Sequence, residues 1–259
     1  MKQALVLTAL LAASSAFAQT AIDQNRALAG SVTPGDAPGF PVTLSQPGSY
    51  KLTGNLTVPM GVKGIVITAD EVTLDLNGFT VKGPSSCTRD NATRVVACSY
   101  QSEQSIGIDA SASEGAEVRN GTVKGFGGVG LSLGRLGRYG NLRLTQSRFG
   151  ASYSETGPGL TALLANPGNT FSHSLFDTNL LSGVAMYVGF VTNSRAVNNG
   201  DNGFQGGSRN FVVAESQARG NRNSGLHAGT ARSTQATDNG NNVFATDSMG
   251  GNMNGTTPF

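Results

Sequence analysis

From residue 41 onward, apolar and polar residues alternate over short stretches, each bounded by glycine or asparagine. The clearest are Ile65-Val66-Ile67, Val72-Thr73-Leu74-Asp75-Leu76, Glu117-Val118-Arg119 and Leu142-Arg143-Leu144. A period of two puts alternate side chains on opposite faces of an extended strand. Gly and Asn at the boundaries supply turns. Windows with helical periodicity are nearly absent; the best, residues 160–165, is short and flanked by prolines. The pattern predicts an all-β chain of many short strands.

The strands recur. Glycine-led units begin at Gly64, Gly107, Gly128, Gly150, Gly183, Gly203 and Gly225, with Asn242 in the same place at the end. The intervals are 43, 21, 22, 33, 20, 22 and 17 residues. A polar, cysteine-bearing insert at 84–105 accounts for the longest, and an insert at 156–168 for the interval of 33. An earlier unit starts at Pro41. A fixed period near 22 residues with two or three strands per unit predicts a parallel β-solenoid of about eight or nine coils. One coil cannot bury its few Val, Ile, Leu and Phe side chains alone, whereas stacked coils about 4.8 Å apart share a continuous core. A β-sandwich would space its strands without this register, and a leucine-rich repeat needs a helical half that is missing here. The expected corners hold Asn-Gly pairs at 77–78, 120–121, 199–200, 202–203 and 239–240, read as positions of positive φ. Aligned by phase, Asn77, Asn120, Gln146, His173, Ser194, Ser216 and Thr234 form one expected polar column.

The segments SQPGSYKLTGNLTVP, GIVITADEVTLDLNGFTVKG and EVRNGTVKGFGGVGL resemble the bacterial right-handed parallel β-helix repeat family, which has the pectate-lyase-like fold. The resemblance spans roughly residues 41–247. It implies an exported protein whose long flank meets polysaccharide. It leaves activity open, because relatives include lyases, hydrolases, epimerases and adhesins.

Composition narrows the function. The chain has 259 residues, 18 basic and 16 acidic, with a formal net charge of +2. That balance offers no clustered basic face for nucleic acid. Its 36 glycines lack the three-residue period of collagen. Residues 1–18 (MKQALVLTALLAASSAFA) have a basic start, an apolar run and small residues at Ala16 and Ala18, which predicts a signal peptide cleaved after Ala18 and a secreted or periplasmic protein. No later stretch is long and apolar enough to span a membrane. The expected organisation is a leader at 1–18, an N-terminal arm or cap at 19–40, the β-helix at 41–247, and a flexible tail at 248–259. Cys87 and Cys98 lie in one polar stretch and are expected to form a disulfide in an oxidising compartment.

Candidate chemistry lies on the outer charges. Asp75, Arg119 and Arg143 are expected near one phase of successive coils, Lys82 and Lys124 at a second, with Arg135, Arg138 and Arg148 close by. Such a strip suits an acidic sugar chain, with Tyr139 as a stacking platform. An elimination reaction needs a base, commonly Arg or Lys, for which Arg119 and Lys124 are the candidates. The same residues also suit solvated strand-face charge with an Asp75–Arg119 surface pair. His173 and His227 find no third partner for a nucleophilic triad. No dense carboxylate cluster suggests calcium, and neither a metal nor a cofactor is expected. The sequence thus supports an exported, monomeric or weakly oligomeric right-handed β-helix that binds or acts on extracellular polysaccharide. A lyase or hydrolase using the basic strip, and a structural or adhesive surface protein, stand as alternatives.

Overall fold

The computed structural model describes residues 19–152, 168–206, 208, 210–248, 251–254 and 257–258. The expected leader, and residues 156–167 of the second insert, lie outside these residues. The chain winds as a parallel β-solenoid of about eight turns with a repeat near 22 residues.

Each coil contributes to three ladders. The first, sheet A, runs from Val42–Leu44 through Ile65–Ile67, Ile108–Asp109, Val129–Ser132, Phe149–Ser152, Val184–Met186 and Phe204–Gly206. Sheet B begins with Thr20–Ile22 and Gly48–Leu52 and continues through Val72–Asp75, Asn169–Ser172, Gly189–Thr192 and Phe211–Ala214. Sheet C includes Thr80–Lys82, Leu175–Asp177, Arg195–Val197, Gln217–Arg219 and Gln235–Thr237. The longer strands Glu117–Lys124 and Arg138–Thr145 bend at a corner and serve both B and C. All pairings along these ladders are parallel, which removes the sandwich.

The alternation read in the sequence sorts side chains inward and outward. The inner file of sheet B is Tyr50, Leu74, Val118, Tyr139, Phe171, Val191 and Val213, all buried. Aromatic rings pack through the middle: Tyr139 on Phe171 (4.9 Å), Phe171 on Phe176 (5.3 Å) and Phe176 on Phe204 (6.2 Å). Isolated coils would leave these faces wet, so burial couples each coil to its neighbours.

The leading glycines have a different cause from the one expected. Gly183 and Gly203 do not adopt positive φ. A Cβ on Gly183 would lie 2.8 Å from Gly203 O and 2.8 Å from Phe176 Cβ. These positions are glycine because successive coils approach closely there, not because the chain bends left-handed.

A helix covers the N-terminal end. The helix Gln24–Ala29 is capped by Asp23, whose carboxylate accepts the Arg26 N–H at 2.8 Å. Gln24 then clasps Leu56–Thr57, the first strand of sheet C, accepting from Thr57 N at 2.8 Å and donating to Thr57 O at 3.3 Å. At the other end the expected tail carries a further rung: Met253–Asn254 pairs with sheet C, and buried Asn252 accepts the Thr234 N–H at 2.9 Å. The helix blunts the open edge that the first coil would otherwise offer to other chains.

Candidate functional site

The corner between sheets B and C forms an outward ridge. Its leading residue sits in the left-handed region in successive coils: Asn77, Asn120, Asn141, His173, Asn193, Glu215 and Ser233 all have φ between 46° and 61°. Asn tolerates this backbone best, because its short polar side chain bonds locally. The next residue turns inward. Ser174, Ser194 and Ser216 are buried, and their hydroxyls donate back two residues, as from Ser194 to Thr192 O at 2.7 Å. Each also accepts an N–H from the preceding coil: Ser174 N reaches Ser194 Oγ at 3.1 Å, and Ser194 N reaches Ser216 Oγ at 3.2 Å.

The expected single polar column is therefore three. Asn77, Asn120 and His173 belong to the outward file. Ser194, Ser216 and Thr234 belong to the buried one. Gln146 belongs to another corner, between sheets C and A, with Thr178, Asn198 and Asp238 at positive φ. Behind that second corner lies a ladder that sequence reasoning missed. Asn179, Asn199, Asn221 and Asn239 stack with Nδ2-to-Oδ1 bonds of 3.0, 2.9 and 2.8 Å. Its signal is present as asparagines spaced 20, 22 and 18 residues apart, of which the sequence reading takes only Asn199 and Asn239, as turn residues.

Two open clefts flank the ridge and share Asn120, Asn141 and His173. The one on the sheet B side, about 590 Å³, also holds Glu117, Arg119, Arg138 and Ser172. The one on the sheet C side, about 620 Å³, also holds Arg143, Leu175, Asn193 and Arg195. Except for Arg195, the arginines in them are paired with acidic side chains. Arg119 Nη1 donates to Glu117 at 2.6 Å, and its Nε reaches Asp75 at 3.4 Å. Arg138 shares Glu117 at 3.9 Å. Asn120 Nδ2 donates to Asp75, and Asn141 Nδ2 donates to Asn120 at 3.1 Å. The hydrogen bond to Glu117, opposed by partial burial, raises the pKa of Arg119 above its ordinary value. That is the reverse of what a general base requires.

Of the expected strip, the structure assembles part. Arg119 lies in register with Asp75, and Lys124 with Lys82. Arg143 does not share the Asp75 phase. The bend shifts it to sheet C beside Thr122 and Leu175, where it pairs with Asp177 at 2.8 Å. Arg148 leaves the ridge altogether: it sits at the corner leading to sheet A and pairs with Glu103 at 2.6 Å. Tyr139 is 2% exposed and stacked on Phe171, so it is core and not a platform. Burial pushes its phenol well up. Alternation accounts for this, since Tyr139 is the inward neighbour of outward Arg138 and Gly140.

The cysteine insert is a β-hairpin. Cys87–Arg89 pairs antiparallel with Val96–Cys98, and the disulfide Cys87–Cys98 joins facing residues. It reaches over the corner above the asparagine ladder. Arg89 Nη2 donates to Gly220 O at 2.8 Å, Arg94 pairs with Asp238 at 2.7 Å, and Val96 packs by Gly200. On sheet A, Asp109 is mostly buried. It accepts from Lys63 at 2.6 Å and from the Ser111 hydroxyl at 2.6 Å. Burial disfavours its charge, but Lys63 and Ser111 outweigh this and lower its pKa.

Among the described residues, no group of three or more His, Cys, Asp or Glu side chains is placed to hold a metal ion, and no helix is long and apolar enough to cross a membrane. No family model, curated protein or solved structure matches the chain.

Proposed function

We propose that this is an exported β-solenoid of the pectate-lyase-like type whose B–C ridge binds an extracellular polysaccharide carrying acidic groups. The observation that supports the reading most is the outward file Asn120, Asn141, His173 and Asn193. These polar side chains repeat at the coil spacing, with a cleft on each side. A repeating polymer is matched by a repeating row of donors and acceptors, and open clefts leave room for a chain that continues past the site. Arginines in both clefts supply planar donors suited to carboxylates.

Binding is favoured over cleavage by the state of Arg119. Glu117 and Asp75 hold it as a cation, so it contributes charge and hydrogen bonds and does not take up a proton. The test is a glycan array probed with the purified chain, alongside assays for new reducing ends and for unsaturated uronates. Retention of acidic glycans that weakens with salt, without product formation, is the expected result. Retention of no glycan would overturn the reading, and released product would replace it with an enzymatic one. Finding the secreted chain to begin at Gln19 would support export.

A further inference from the structure

The outward residues of one coil differ from those of the others. In the coil 184–197, Phe190, Thr192, Asn193 and Arg195 all face outward, running from sheet B across the ridge to sheet C. Phe190 is 48% exposed, the largest aromatic exposure among the described residues. Its register neighbours are Thr170 and half-buried Val212, and Thr192 lies between Ser172 and Ala214. The ring therefore sits among small and hydroxyl-bearing side chains. A protein-binding hot spot would be ringed by further packed residues that exclude water. An exposed flat ring beside hydroxyls fits the apolar face of a pyranose, whose edges carry polar groups.

Arg195 completes the row. Arg119 and Arg138 face Glu117, and Arg143 faces Asp177. Among the described residues Arg195 makes no ion pair, although it lines the sheet C cleft with His173 and Asn193. Its register neighbours are Leu175 and Gln217, neither of them acidic. Glu215 stands on the ridge one coil away and is not within ion-pair distance. Phe190 and Arg195 are five residues apart across the corner at Asn193, at most about 16 Å, which a short oligosaccharide spans.

We propose that the coil 184–197 is the subsite that selects an acidic sugar, with Phe190 stacking on a pyranose ring and Arg195 pairing with the carboxylate of a nearby unit. This rests on the polysaccharide reading above and assigns its specificity to residues outside the basic strip expected from sequence. The test titrates the full chain with alginate, a linear polyuronate, and with its propylene glycol ester, which keeps the rings and removes much of the charge. F190A should weaken both ligands about three- to tenfold. R195Q should weaken alginate by a similar factor and leave the ester nearly unchanged, so the preference for free acid collapses. Both side chains are exposed, so thermal midpoints should match the wild type. The chain contains no tryptophan, so F190W installs a single reporter whose emission should shift to the blue on adding alginate. If wild type binds alginate and both variants bind it equally well, this subsite is wrong and the broader reading stands. If wild type binds neither polymer and no glycan on an array, both fall.

Discussion

Asn199 Nδ2 donates to Asn221 Oδ1 at 2.9 Å, and both amides are buried to the last atom of accessible surface. The same Asn199 Oδ1 accepts from the backbone and the side chain of Asn179, while its Nδ2 also reaches Phe176 O at 3.2 Å. One side chain thus satisfies polar groups in the coils on both sides of its own. Truncation would leave several of them buried without partners, at about 1–3 kcal/mol each and not fully additively. Asn199→Ala should lower unfolding free energy by about 3 kcal/mol in urea titrations. Asn198→Ala, one residue away at the half-buried bend, should cost less than half as much. Equal costs would mean the ladder carries no special share of stability.

The glycines separate two mechanisms. Gly78 has φ of +81° and open space around an added Cβ, whereas Gly183 has an ordinary φ and backbone 2.8 Å from that position. Gly78→Ala should cost about 1 kcal/mol through backbone strain alone. Gly183→Ala should cost at least about 2 kcal/mol, because coils must separate to admit the methyl group. Thermal unfolding of the two variants side by side checks the order.

These glycines show what was legible in the sequence. Their spacing gave the repeat, the coil length and hence the fold, because every coil must solve the same packing problem with the same residue. It did not give the reason, since close approach and left-handed backbone both select glycine. The site was less legible. Phase counting along the chain assumes a constant number of residues per bend. The coil holding Asp75 places Leu76 to Phe79 between sheets B and C, while the next places only Asn120 and Gly121. Arg143 misses the expected column because the following coil repeats after 21 residues, which puts Gly140 and not Arg143 in the Asp75–Arg119 phase. Tyr139 was misread for a local reason, because one step along a strand reverses the face. The span of the cysteine hairpin, from residue 89 to residue 220, has no local signal at all.

Cross-linking Cys87 to Cys98 limits the unfolded insert, and the folded hairpin ties distant coils through Arg89 and Arg94. Replacing both cysteines with serine should lower stability by about 2–3 kcal/mol. Reductant should lower the wild type by a similar amount and leave the double variant unchanged. Hydrogen exchange should localise the loss near residues 200, 220 and 238. Loss confined to the hairpin itself would show that it does not brace the later coils.

Asp109 provides a signed pH dependence. Its folded pKa lies below the ordinary carboxylate value, because the bonds from Lys63 and Ser111 outweigh the effect of burial. The stability it contributes is therefore present above its unfolded pKa, near 4, and is lost as pH falls through the lower folded value. The thermal midpoint of the wild type should drop on acidification below about pH 4. Asp109→Asn should lower the midpoint at neutral pH and flatten this acid limb. An unchanged acid limb in the variant would assign the drop to other carboxylates.

Charge matching on the ridge yields the last expectation, which runs against counting basic residues. Glu117 sits between Arg119 and Arg138 and neutralises part of both. Removing its charge leaves two guanidiniums facing the sheet B cleft with only Asp75 opposing them. If an acidic polysaccharide binds there, Glu117→Gln should strengthen retention about two- to fivefold at low salt, and the gain should shrink as salt rises. Arg119→Ala should do the reverse, because it leaves Glu117 and Asp75 exposed to an anionic ligand. Affinity electrophoresis in gels containing alginate reads both. Weaker retention by Glu117→Gln would mean that Glu117 orients Arg119 and Arg138 for the ligand, with geometry outweighing net charge at this cleft.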